Sequence, residues 1–228
     1  MKQGNVLKKM PRLRKVLRRV KHAVNGGPTF STSANYWEDR YRHGGNSGAG
    51  SYNRLALFKA AVLNDFVAAN EIHSVIEFGS GDGAQLELAK YPDYVGIDVA
   101  QSAIELSRRK FADNPSIRFL HTSDLTDCHR AELALSLDVI YHIVEDVAYD
   151  AYMKQLFDAA TKFVIIYSSN EDKPGPTPHI RHRQFTRWVE ANRADFKLIV
   201  KIPNAYPHSE KDPDNTSFAD FYIFECAG

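Results

Sequence analysis

The sequence predicts a doubly wound α/β fold with a seven-stranded sheet, mostly parallel, whose last strand is reversed. Three observations predict it. From residue 74 onward, short apolar runs alternate with segments of helical periodicity, the order that lays helices on both faces of a parallel sheet. The first run, Ser74-Val75-Ile76-Glu77-Phe78, breaks into Gly79-Ser80-Gly81-Asp82-Gly83, three alternating glycines that let a chain turn tightly at positive φ. The final two runs, 196–202 and 218–225, are joined through a Pro- and Asp-rich loop with no helix between them, which makes them an antiparallel hairpin.

Taken in order, the elements begin with an apolar stripe of Val6, Met10, Leu13, Leu17, Val20 and Val24 among lysines and arginines. Pro11 suits a first helical turn, so the spacing predicts a basic amphipathic helix over about 11–24, stopped by Asn25-Gly26-Gly27-Pro28. Residues 1–30 therefore read as an extension and 31–228 as the α/β domain. A short helix carries Tyr36 to Tyr41, a glycine-rich loop follows over 44–51, and a helix runs from Tyr52 to about Asn70. Then come strand 74–78, helix 83–90, strand 94–98, helix 101–111 and strand 117–120. Strand 133–138, helix 147–161, strand 163–167 and a helix at about 182–193 precede the closing hairpin.

Composition excludes several classes. Hydrophobic and charged fractions of 43% and 25% are those of an ordinary globular domain. No run reaches the ~18 apolar residues of a membrane span, and Cys128 and Cys226 have no metal or redox spacing, which suits a reducing cytoplasm. The net charge of +1 conceals an asymmetry: nine of the 29 basic residues lie in 1–30 with no acid, leaving 20 against 28 acids in the body. A basic helix on a hinge points to peripheral docking on an anionic membrane or on a protein partner, or else to packing on its own domain. The acidic body argues against nucleic acid as a partner.

The glycine turn is a ligand cradle, because glycines admit a close backbone approach and a following helix would offer unpaired N–H groups. Glu77, two residues before the first glycine, is placed to meet a cation. Asp98 ends the next strand, where a carboxylate accepts from ribose hydroxyls or caps the following helix. Asp124 follows the third strand, as an adenine partner or as plain turn chemistry. All three acids stand at carboxyl ends of successive strands, the edge where open α/β sheets bind ligands.

Glu77 with Gly79-x-Gly81-x-Gly83, followed by Asp98, resembles the first motifs of the class I, Rossmann-like S-adenosylmethionine (SAM) methyltransferases. The resemblance spans residues 35–226. It implies SAM as cofactor, held by Glu77, Gly79, Ser80, Gly81, Asp98, Val99, Asp124, Leu125 and Leu137. The stretch Leu137-Asp138-Val139-Ile140-Tyr141-His142 resembles the family's fourth-strand region, which implies that Asp138 and His142 face the methyl-transfer site. Histidine suits a general base; a residue capping the next turn is the alternative. Tyr36 or Trp37 can cover the sulfonium, and Arg40 or Arg54 can meet the methionine carboxylate, unless Trp37 is a core anchor and the arginines are solvated. The segment from Tyr36 to Arg54 also looks like a bacterial group associated with surface-polysaccharide synthesis, which implies an oxygen of a sugar, glycan or glycan phosphate as acceptor. The basic end of 173–183, together with Tyr206, His208 and Lys211, adds acceptor-site candidates. No metal site is expected.

Two other readings stay open. Gly79-x-Gly81-x-x-Ala84 also fits the dinucleotide fingerprint of an NAD-dependent oxidoreductase, although such an enzyme places an apolar residue where Glu77 stands. A non-catalytic SAM-fold subunit that binds a partner through its basic helix is the other.

Overall fold

A computed structural model describes residues 30–175 and 177–227. The helix predicted at 11–24 and its hinge lie outside the described residues. The chain divides into two compact units, Met1–Ser31 and Thr32–Gly228. Among the described residues, no helix is long and apolar enough to cross a membrane.

The second unit opens with helix α1 (Ser33–Arg42), capped by the Thr32 hydroxyl, which accepts from Asn35 N–H at 3.1 Å, and continues into α2 (Asn53–Ala69). The seven strands of the main sheet are β1 (Val75–Phe78), β2 (Tyr94–Asp98), β3 (Ile117–His121), β4 (Ala131–Leu137), β5 (Ala160–Ser168), β8 (Phe196–Ile202) and β9 (Asp220–Cys226). Helix α3 (Gln101–Lys110) joins β2 to β3, and α4 (Asp146–Asp158) joins β4 to β5. A two-residue pair, β6 (Lys173–Pro174) with β7 (Arg181–His182), precedes helix α5 (Phe185–Asn192).

The sheet order is β3-β2-β1-β4-β5-β9-β8. Strands pair in parallel from β3 to β5, whereas β9 is antiparallel to both β5 and β8. The predicted reversed last strand is present, and it is inserted between β5 and β8. Strand order reverses between β1 and β4, so the carboxyl ends of these strands frame the crevice where doubly wound sheets take ligands.

Both faces of the central strands β1, β4 and β5 are largely buried, which is why these strands read as mainly apolar runs, whereas the edge strands β3 and β8 are more exposed. Ile76, Phe78 and Ala134 pack under α4 and α5 with Met153, Phe157 and Phe185. The alternate residues Val75, Leu133 and Leu135 face α2 and α3 with Leu63 and Ile104.

Two predicted helices change. No α-helix occupies 83–90; a single 3-10 turn, Leu86–Leu88, stands there instead. Positive φ at Gly79, Gly81 and Gly83 keeps the chain turning as far as residue 83, and Pro92 is close behind. The remaining span is shorter than the ~12 residues at which a helix sustains itself. The glycine turn therefore lacks the helix N-terminus expected to face the ligand. The helix predicted from 182 starts at Phe185, because Arg181 and His182 pair with β6.

Candidate active site

A cavity of about 530 Å³ opens at the carboxyl edge beside the strand-order reversal, within the range of small-molecule sites. Its floor is the glycine turn. Gly79 and Ser80 N–H donate to Ile97 O at 2.7 and 3.0 Å, which ties the turn to β2. Gly81 has φ +58°, and a Cβ there would run into Ser47 Oγ and Tyr41 Oη. Only glycine lets these two loops meet.

Asp98 closes the turn from the other side. Its carboxylate accepts from Gly81 N–H and Ala100 N–H, each at 2.9 Å. Burial raises its pKa, with those two amides opposing. Glu77 is 5% exposed and accepts from Tyr94 Oη at 2.7 Å. Burial pushes its pKa up to about 7, against the Tyr94 hydrogen bond and the Lys59 charge. The carboxyl is thus poised to change protonation near neutral pH.

Asp82, between the second and third glycines, does not line the cavity but fixes the loops that build it, a role sequence reasoning missed. Burial would raise its pKa, yet its donors hold it below the usual range. Ser47 Oγ donates at 2.7 Å, Ser47 N–H and Ala84 N–H at 3.1 Å, and Tyr52 Oη at 2.9 Å. This one carboxylate locks the glycine-rich loop onto the glycine turn. Its signal was an acid within a turn, the position where Asp satisfies backbone N–H groups.

The roof comes from α1, which is roped at its first residue and at its middle. Ser33 N–H and Oγ donate to Glu145 at 2.8 and 2.7 Å, and Glu38 accepts from Ser102 N–H and Oγ at 3.0 and 2.6 Å. Trp37 lines the cavity and meets the His142 ring edge-on at 4.9 Å. Tyr36, expected at the cofactor, does not line the cavity; it stacks on His179 at 4.2 Å.

Asp138 and His142 both line the cavity. Asp138 adopts φ +61°, a strained conformation for a side chain with a Cβ, held by its N–H bond to Tyr167 O at 2.9 Å. Lys59 Nζ donates to its Oδ2 at 2.7 Å, and Tyr141 Oη to its Oδ1 at 2.9 Å. A Cβ on Gly50 would stand 2.6 Å from Oδ2, so glycine alone lets the loop pass. His142 is half-buried, and desolvation pushes its pKa down to about 4, opposed by the His179 carbonyl. Its Nδ1 faces that carbonyl at 3.2 Å. A carbonyl only accepts, so Nδ1 carries the proton and Nε2 the lone pair.

Of the residues singled out in the sequence, Trp37, Glu77, Gly79, Ser80, Asp98, Val99, Leu137, Asp138 and His142 line the cavity together. Others stand apart. Arg40 donates to Asn46 O at 2.6 Å, and Arg54 to Asn215 O at 2.6 Å and Asp212 at 3.2 Å; neither lines the cavity. Asp124 is exposed, while Leu125 packs on the core. Lys59 was overlooked, although it interrupts the buried stripe of Leu55, Ala56, Ala60, Leu63 and Val67, an irregularity visible in the sequence.

Two buried lining atoms, Ser80 Oγ and Gln85 Oε1, have no hydrogen-bond partner within the protein. Orphaned polar atoms in a cavity wall are positions that water, an ion or a ligand can complete. With the carboxylates of Glu77 and Asp98 beside them, they fit a polar nucleoside bearing a cation.

No family model and no curated protein matches the sequence. Solved structures do. An N-methyltransferase, NodS from Bradyrhizobium japonicum in complex with S-adenosylhomocysteine, is similar with TM-score 0.64 and 12% identity, covering 87% of this chain and 100% of that one. Magnesium protoporphyrin IX methyltransferase from Synechocystis, also with S-adenosylhomocysteine bound, gives TM-score 0.61 and 13% identity over 85% and 97%. A SAM-dependent methyltransferase from Clostridium acetobutylicum gives 0.54 and 11% over 95% and 99%. At these identities the likeness speaks for the fold: the chain has the Rossmann-like architecture of the class I SAM-dependent methyltransferases.

Proposed function

We propose that this chain is a SAM-dependent methyltransferase. One observation carries the reading: on a methyltransferase fold, a single cavity joins Glu77, the glycine turn and Asp98 at the sheet's reversal point. Bound there, SAM would supply a methyl group on a sulfonium. Glu77 pairs with the ammonium of its amino-acid end, Asp98 accepts from the ribose hydroxyls, and the Trp37 face covers a cationic centre. Positioning supplies most of the rate in such a transfer.

His142, kept neutral by desolvation, is the group with a lone pair free to take a proton. Both Asp138 oxygens already accept from Lys59 and Tyr141, whereas the His142 Nε2 lone pair is uncommitted by the tautomer argument. The acceptor we assign is an oxygen of a sugar, glycan or glycan phosphate. It is supported by the resemblance of the Tyr36–Arg54 segment and by the Trp37 and His142 rings in the cavity wall, which offer an apolar face together with polar tips. The basic extension before Thr29 we assign to an anionic membrane surface or a membrane-bound partner.

Calorimetry with SAM, S-adenosylhomocysteine and NAD tests the cofactor. Binding of NAD without SAM ends the reading. Release of S-adenosylhomocysteine over a panel of sugars, glycan phosphates, lipid-linked glycans and small metabolites tests the acceptor; SAM binding without turnover on any of them favours a non-catalytic subunit.

A further inference from the structure

We propose that Lys59 is the receptor for a ligand carboxylate, and that it holds the amino-acid end of the cofactor beside Glu77. The inference rests on the cofactor reading above and names a residue the sequence did not offer. Lys59 is 1% exposed, in the middle of α2 on the face turned to the core. An ammonium is costly to bury there unless oxygens surround it. One of its three N–H groups donates to Asp138 Oδ2 at 2.7 Å, and the Tyr167 ring lies 5.4 Å from Nζ. Among the described residues no second acceptor meets it. A buried ammonium with two uncommitted donors on the wall of a cavity is completed by an anionic oxygen from a ligand.

Charge points to the same occupant. Among the described lining residues, Lys59 is the one fixed cation, facing Glu77, Asp98, Asp138 and Glu145. Arg40 and Arg54, the cations the sequence pointed to, are spent on Asn46 and on Asn215 with Asp212. The Lys59 field also reaches Glu77 and favours its ionised form. An ammonium partner and a carboxylate partner thus line the same cavity within reach of each other's charge, which is what a zwitterionic amino acid requires.

The test compares SAM with its decarboxylated analogue, identical except for the missing carboxylate. Calorimetry is run on the wild type, on Lys59→Met, and on Lys59→Met with Asp138→Asn. The double variant removes the Asp138 charge together with its Lys59 partner, so it keeps the experiment decisive where the single variant fails to fold. The wild type should prefer SAM on the order of 10- to 100-fold, the worth of a charge-assisted contact. Both variants should bind the two ligands within about threefold of each other, with the affinity for the analogue little changed. A full preference for SAM in a double variant that melts like the wild type overturns the assignment, and leaves a role for Lys59 in holding Asp138 or an acceptor anion. A wild type that binds neither ligand overturns the cofactor reading itself, and this inference with it.

Discussion

Replacing Glu77 with Gln should make the free protein more stable while weakening its cofactor, two effects of opposite sign from one atom exchange. The carboxyl is buried and accepts from Tyr94 Oη at 2.7 Å, and burial pushes its pKa up to about 7 from the 4.5 of an exposed glutamate. Between those two pH values the folded chain binds a proton that the unfolded chain has released, so stability falls as pH rises through the window. At ~1.36 kcal/mol per unit, the ionised group costs the fold up to about 3 kcal/mol at pH 8. Gln keeps an oxygen for the Tyr94 hydroxyl and cannot ionise. At pH 8 it should therefore melt roughly 5–10 °C higher than the wild type, with the gap closing toward pH 4.5. Loss of the charge should cost the ligand ammonium about 1.5–3 kcal/mol, roughly 10- to 150-fold in SAM affinity. Wild-type SAM binding should release a proton near pH 6.5, seen as a buffer-dependent enthalpy, and the variant should release none. Melting curves at pH 5 and 8 beside titration calorimetry decide the matter. A variant that melts no higher at pH 8, or binds SAM as the wild type does, refutes the placement of Glu77 as a desolvated cation partner.

For a hydroxyl acceptor, His142→Ala should lower turnover by ~10²-fold with little change in SAM affinity, measured as kcat beside Kd. Because desolvation holds the wild-type imidazole near 4, this group's contribution to stability is lost as pH falls from about 6.5 to about 4, and urea midpoints over that range should show a fall that the variant lacks. Asp82→Ala should strip the acceptor from Ser47, Tyr52 and Ala84 and destabilise the protein by roughly 2–4 kcal/mol; free exchange of the 44–51 amides in the variant, against protection in the wild type, is the signature to seek. A chain begun at Thr29 should fold and bind SAM, yet lose affinity for anionic vesicles by about 1 kcal/mol for each basic residue that had lain near the surface. Co-sedimentation at two salt concentrations, with a melting curve of each protein, checks this. A fall in Tm with no vesicle binding in either protein would mean that the segment serves its own domain.

Where sequence and structure agree, the signal is local. A strand buried on both faces must be apolar throughout, and a glycine turn must follow where backbone has to pass close to backbone, so β1, its turn and Asp98 were legible. The end of that turn was not. How the turn is anchored depends on Asp82, whose carboxylate is engaged by Ser47 from 35 positions away. The same holds for Lys59, whose partner Asp138 is 79 residues distant, and for Arg54, claimed by Asn215 at a separation of 161. A cation in a sequence carries no mark of which acceptor will reach it first. Lys59 alone left a trace, as a charge in the wrong phase of an apolar stripe.

The insertion of β9 between β5 and β8 bears on how the protein is made. Synthesis delivers β8 before the strand it pairs with, so until β9 emerges β8 has no place in the sheet and the edge of β5 is open. Leu198, Ile199 and Val200 remain 47%, 45% and 41% exposed even in the finished fold. During that interval the nascent chain presents two unpaired β-edges and an apolar strand at once, the combination most prone to pairing with a neighbouring chain. Slow translation across 203–219 would lengthen the exposure, and a holding chaperone would matter most there, before the ligand cavity can do anything at all.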